Sequence, residues 1–179
     1  MYKICFICRV IIQLAVCVSV CACTAAYKIQ NIAGTTQVRL DRQQTVFVAI
    51  PKDGLYEEKN YPGSGQSVAQ AIAGAFSRHA AKVVIASQLF SADQNLSAAQ
   101  EAKAGYLIVP VITHWEHRAT EWSGRPSVMS IRVVILDTKS GKQITAASID
   151  GRSRIISWTT TSPESLLRAP LENYIDSLY

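Results

Sequence analysis

The chain has 179 residues and a formal net charge of +5, with 49% hydrophobic and 17% charged side chains. That length suits one ordinary domain, and the charge is too mild and too scattered to argue for a nucleic-acid partner. All five cysteines, Cys5, Cys8, Cys17, Cys21 and Cys23, fall in the first 23 residues, which leaves the body of the protein without a disulfide or a thiol nucleophile.

The start carries Lys3 and Arg9, then an apolar run from Val10 to Ala22 broken once by Gln13. Positive residues, then about 7–15 apolar ones, then small residues before a cut, is the layout of a secretory signal. The run is shorter than the roughly 20 residues that span a bilayer as a helix, so a retained anchor is the weaker alternative. Val20-Cys21-Ala22-Cys23 resembles the bacterial lipobox, with an aliphatic residue three before, and a small residue one before, the cysteine. Cys17 and Cys21 fit less well, because Val16 and Val20 occupy the small-residue position. The alternative is that the leader cysteines act only as small hydrophobes. Lipobox resemblance implies diacylglycerol on the Cys23 sulfur, cleavage before it, and acylation of the new amino terminus. One acyl chain holds only marginally, at about 0.8 kcal/mol per buried CH₂, whereas three would hold firmly. Thr24 follows the cysteine, and by resemblance to enterobacterial sorting this favours the outer membrane; the inner membrane stays open. Two of the 18 basic residues, Lys3 and Arg9, leave with the leader, so 16 face 13 acidic ones and the charge becomes +3.

Residues 23–44 are polar, without sustained periodicity, and read as a lipidated tether with a short strand near Val38 to Leu40. A single domain is expected over 45–179. Thr45 to Ile50 is a β-branched run closed by Pro51, a buried strand. A turn at Lys52-Asp53-Gly54 leads into a polar loop up to Gly65. Ser64 to Ala80 places Val68, Ile72, Ala75, Phe76 and His79 at helical spacing, with Ser64 or Ser67 as its cap. Lys82 to Ala86 is a short strand. Ser97 to Ala104 is a short helix, with Ser97 and Gln100 at capping-box spacing and Gly105 as its stop.

Tyr106 to Thr113 is an apolar strand in which Pro110, lacking an N–H, belongs at an edge or bulge. Val128 to Asp137 and Lys142 to Asp150 form a hairpin whose turn uses Gly141. Pro163 to Leu178 is a helix burying Leu166, Leu167, Leu171, Tyr174, Ile175 and Leu178, kinked or divided at Pro170. This order predicts an α/β class: a layered domain with helices packed on a mixed sheet whose later strands are antiparallel.

Val46-Phe47-Val48-Ala49, the helix near Ala69 to Phe76, Ala104-Gly105-Tyr106-Leu107-Ile108 and Leu136-Asp137-Thr138-Lys139-Ser140-Gly141-Lys142 resemble the amino-terminal domain of TolB, an architecture shared with several outer-membrane lipoproteins. A second resemblance covers nearly all of residues 23–179. Pro51-Lys52-Asp53-Gly54, Tyr61-Pro62-Gly63-Ser64-Gly65, His114-Trp115-Glu116, Arg118-Ala119-Thr120-Glu121-Trp122-Ser123-Gly124 and Leu178-Tyr179 look like a family of bacterial lipoproteins, domain of unknown function 4823. That likeness implies fold and location, and no catalytic residue comes with it.

The densest chemistry lies between His114 and Trp122. On a helix His114, His117 and Glu121 would share a face and could hold Zn²⁺. On a strand His114 and His117 point to opposite faces, and the spacing is not that of a zinc peptidase. A polar strand-to-loop turn is the favoured reading, with no metal and no cofactor. Trp115, Glu116, Arg118, Glu121 and Trp122 form a candidate interaction loop, set against indoles that cap the core. Gly63 to Ser67 could receive an anion at a helix amino terminus, or simply turn the chain. Ser64, His79 and Asp53 make a triad only on paper. The expectation is a non-catalytic envelope lipoprotein that engages a protein partner through an edge strand and the tryptophan loop. Alternatives are a metal- or ligand-binding enzyme centred on the same loop, and an oligomer formed through an open sheet edge.

Overall fold

The computed structural model describes residues 26–33, 38–117, 126–153 and 163–179. In chain order these form β1 (Ala26–Ala33), β2 (Thr45–Val48), β3 (Gly54–Tyr56), β4 (Lys59–Tyr61), α1 (Ser64–Phe76), β5 (Lys82–Ile85), α2 (Ala92–Glu101), β6 (Tyr106–Glu116), β7 (Val128–Asp137), β8 (Gln143–Arg152) and α3 (Pro163–Asp176). Six strands make one mixed sheet in the order β1-β8-β7-β6-β2-β5, and β3 and β4 form a separate two-stranded hairpin. The pairs β2–β5 and β2–β6 are parallel, while β6–β7, β7–β8 and β1–β8 are antiparallel. The expected class, helices layered on a mixed sheet, is the one adopted.

Strand period explains where the core lies. Met129, Ile131, Val133 and Ile135 alternate along β7 and are all fully buried, because successive side chains point to opposite faces. Ile108, Ala147 and Ile149 continue that buried face. Over it pack Val68, Ala69, Ile72 and Phe76 of α1 and Leu166, Leu167, Leu171, Tyr174 and Ile175 of α3. A smaller cluster on Phe47, Ala49, Ala86, Ala99 and Leu107 joins α2 to the sheet. Beyond it, among the described residues, Val111 is 44% exposed and pairs with the exposed Arg132.

Five local expectations need correction. Residues 26–33 fall in the stretch read as a tether, yet they pair with β8 from Ala26↔Arg152 to Ala33↔Ala146, and Ile29 packs on the core. A register shift between Asn31 and Ala33 breaks the period-2 pattern that would have announced this strand. Val38 to Leu40 is not a strand. Helix α2 starts at Ala92, where Ser91 and Gln94 form the capping box; Ser97 and Gln100 repeat the spacing six residues on, inside the helix. The segment read as a polar loop contains the β3–β4 hairpin, and β6 runs past Thr113 to Glu116.

The prolines fit their places. Pro110 lies past the stretch where β2 pairs with β6, Tyr106 to Ile108, so β6 is locally an edge there and needs no N–H on that side. Pro170 lies within α3, which runs through it as one helix. Gly141, at φ 66°, turns the β7–β8 hairpin. Beside it the Ser140 hydroxyl and N–H both donate to Asp137 at 2.7 Å, holding that carboxyl below its ordinary value.

The start of α1 is built from a distance. Gly63 is the N-cap, in the left-handed region, and no side chain of the helix's own first turn caps it. Instead Asp53 accepts from the Gly63 N–H at 3.1 Å and the Gly65 N–H at 2.8 Å. Ser64, the expected cap, turns away: its hydroxyl donates to the Tyr61 carbonyl at 2.7 Å and accepts from the Gly54 N–H at 2.8 Å. Residue 65 must be glycine, because a Cβ there would collide with the Pro51 carbonyl. Replacing Asp53 by alanine orphans two helix N–H groups and is expected to cost about 1–2 kcal/mol. Gly65→Ala should cost more, and urea titrations of the two variants, compared with the parent, check both.

Candidate functional site

The segment 114–117 begins as strand, and the bulge between Ile112 and His114 decides where its side chains go. Trp115 turns into the core and is 1% exposed. Its room is made by Gly54, since a Cβ at that residue would lie 2.5 Å from the Trp115 Cβ. Trp115 is therefore a core residue, and its expected place on an interaction loop is corrected. Glu116 is also mostly buried, with its side chain 10% exposed, and sits 3.6 Å from His114 Nε2. His114 packs edge-on to Tyr56, with ring centroids 5.1 Å apart. Arg118, Glu121 and Trp122 lie outside the described residues, as does Cys23.

Among the described residues no three His, Cys, Asp or Glu side chains converge as metal ligands would. His114 and Glu116 approach one another, whereas His117 leaves the strand and donates its backbone N–H to the Tyr61 hydroxyl at 3.4 Å. A cleft of about 390 Å³ opens here between the β3–β4 hairpin and the start of α1. It is lined by Lys59, Asn60, Tyr61, Ser67, His117 and Glu164, among others, with Trp115 as part of its floor. The Lys59 ammonium lies over the Tyr61 ring, 5.0 Å from its centroid.

The anion reading of Gly63 to Ser67 meets a plain obstacle. The Asp53 carboxylate already occupies the N–H groups of Gly63 and Gly65, so the helix supplies its own anion. The triad likewise does not assemble. Ser64 opens α1 and His79 lies just past its end, about 20 Å apart for a helix of that length.

His79 belongs instead to a polar cluster at the other end of the molecule, which sequence reading missed. Its Nδ1 is 3.2 Å from Arg42 and its Nε2 is 2.6 Å from Asp176. Arginine can only donate, so Nδ1 accepts and Nε2 carries the proton toward the carboxylate. The ring stacks on Tyr179 at 5.0 Å, and Arg42 lies over the same tyrosine. Both nitrogens are thus engaged, and the imidazole is held as a structural joint with no free lone pair for base catalysis. Burial pushes the Tyr179 hydroxyl up to about 12, with Tyr106 and Asp41 adding to the shift and Arg42 opposing it. Arg78 adds contacts to Glu172 at 3.5 Å and Asp176 at 3.3 Å, and the Leu40 N–H donates to the Leu178 carbonyl at 2.7 Å. The one sequence signal for this cluster was Leu178-Tyr179.

Trp115 offers a direct test of core against surface. Trp115→Ala should destabilise the domain by about 3–5 kcal/mol, as large buried aromatics do, which a thermal melt of the variant reads.

No curated protein matches the sequence. The fold is similar to two crystal structures of PelC dodecamers from Paraburkholderia phytofirmans. A variant PelC aligns with a TM-score of 0.64 at 17% identity, over 84% of this chain and 98% of that one. The other aligns at 0.62 and 19% identity, over 82% and 98%. At such identities the likeness speaks for the fold alone. The family model for the domain of unknown function DUF4823 matches residues 38–178, from just before β2 to the end of α3, and the chain belongs to that family.

Proposed function

We propose that the protein is an envelope lipoprotein, acylated at Cys23 and facing the periplasm from the outer membrane, whose α/β domain binds protein and does no chemistry. The leader carries this reading: Val20-Cys21-Ala22-Cys23 closes an apolar run of signal length, and every cysteine of the chain falls in the first 23 residues. Among the described residues no helix is long and apolar enough to cross a membrane. The non-catalytic half of the proposal is supported by how the polar residues are used. Ser64 and Asp53 build a helix start, and His79 has both ring nitrogens engaged.

Binding would run through the sheet edges, since Trp115 is buried. Among the described residues, strands β1 and β5 each pair on one side only, and such edges present unpaired N–H and C=O groups to an incoming strand. Confinement to a membrane raises the effective concentration of a weak module near its partner. A second reading, a homo-oligomer, is favoured by one observation: the PelC structures of similar fold are dodecamers.

In-cell photo-crosslinking from Lys28 on β1 and Lys82 on β5 separates these readings. One discrete hetero-adduct from either edge is expected. A ladder of multiples of the chain's own mass would replace the partner reading with the oligomer. Absence of any adduct from the anchored protein would remove both.

A further inference from the structure

Strand β1 begins three residues after Cys23, with only Thr24 and Ala25 between. Consecutive Cα atoms are 3.8 Å apart, so Ala26 lies at most about 11 Å from the Cys23 Cα. The headgroup layer on each side of a bilayer is itself several ångströms deep. An acylated Cys23 therefore leaves the first residue of the sheet within or just above the headgroups. The chain has no slack there with which to lift the domain away.

Register decides which part of the sheet follows Ala26 down. Ala26 pairs with Arg152, Arg152 with Val128, and Val128 with Glu116. These four residues form one row across the end of the sheet, within about 15 Å at the usual strand spacing of about 4.8 Å. The helices agree with that polarity. The amino-terminal parts of α1 and α3 meet at the cleft, through Ser64, Ser67 and Glu164 beside Trp115 and His117. Their carboxy-terminal ends meet far away, at His79 and Asp176. The turn at Lys139 lies a full strand from the row, about 33 Å for ten residues. Exposed Lys28 and Arg152 near the anchored corner suit anionic headgroups, although Asp150 pairs across from Lys28.

We infer that the end of the domain marked by this row, Ala26, Arg152, Val128 and Glu116, faces the membrane, with lipid headgroups as the partner of that end. The inference rests on the lipidation of Cys23 proposed above. The cleft then lies on the membrane side. The polar cluster of Arg42, His79, Asp176 and Tyr179, with the β7–β8 turn, projects into the periplasm.

The test uses the full-length lipidated protein in phosphatidylethanolamine–phosphatidylglycerol vesicles whose headgroups carry nitroxide. Beyond Cys23 the chain has no cysteine, so Arg152→Cys and Lys139→Cys each take a single fluorophore. Quenching is expected to be severalfold stronger at position 152. Equal quenching at both positions, stronger quenching at 139, or none at either would overturn the orientation. Mass spectrometry of the same samples reads the anchor independently. A chain without acyl groups would sink the lipidation itself and the orientation with it, whereas an acylated chain with the wrong quenching pattern would sink the orientation alone. A flexible Gly-Ser spacer of about 12 residues, roughly 20 Å in mean span, inserted before Ala26 should abolish the difference. Persistence of the difference would overturn the short connection as its cause.

Discussion

The ladder between β1 and β8 is the constraint on which the placement of the whole domain depends. Without it, β8 would be the sheet edge and residues 23–44 a free leash of indefinite reach. With it, the antiparallel pairs from Ala26↔Arg152 onward fix the corner nearest the proposed lipid attachment. Ile29 is drawn onto the core, and the Tyr27 hydroxyl accepts from Asn173 Nδ2 at 2.6 Å, tying the strand to α3. A stretch of modest polarity is thus held from two sides, by backbone pairing and by a helix.

The residues that carry the family likeness turn out to fit one another. Asp53 caps α1, Gly54 makes room for Trp115, and Gly65 lets the helix start approach the Pro51 carbonyl. Tyr61 supplies its carbonyl to Ser64 and its hydroxyl to the His117 N–H. Three separated sequence motifs therefore meet at one end of the molecule, and each residue there constrains the next. A dense set of polar and aromatic side chains resembles a site when read along the chain. In space much of it is the joinery between a hairpin, a helix start and the end of a strand.

What sequence made legible was the part governed by simple period. The α1 pattern, the β7–β8 hairpin with Gly141 and the apolar face of α3 follow from spacing of 2 or 3.6 residues, and β2 and β5 from their short β-branched runs. Where the period is interrupted, reading failed for physical reasons. A bulge at Asn31 hid β1, and another after Ile112 hid the turn of Trp115 into the core. The start of α2 was read six residues late, because Ser97 and Gln100 repeat inside the helix the spacing of the capping box that Ser91 and Gln94 form. The cluster around His79 was missed because Arg42, His79 and Asp176 are far apart in sequence and carry no shared motif.

The claim most exposed to test is that the domain begins at Ala26. Hydrogen exchange of the mature protein, followed at the backbone amides of residues 26–33, addresses it directly. Protection at alternate amides of β1 comparable to that of its partner β8 is the predicted result. Exchange at the rate of an unstructured peptide through Ala33 would contradict it, return this stretch to a tether, and remove the basis of the proposed membrane orientation.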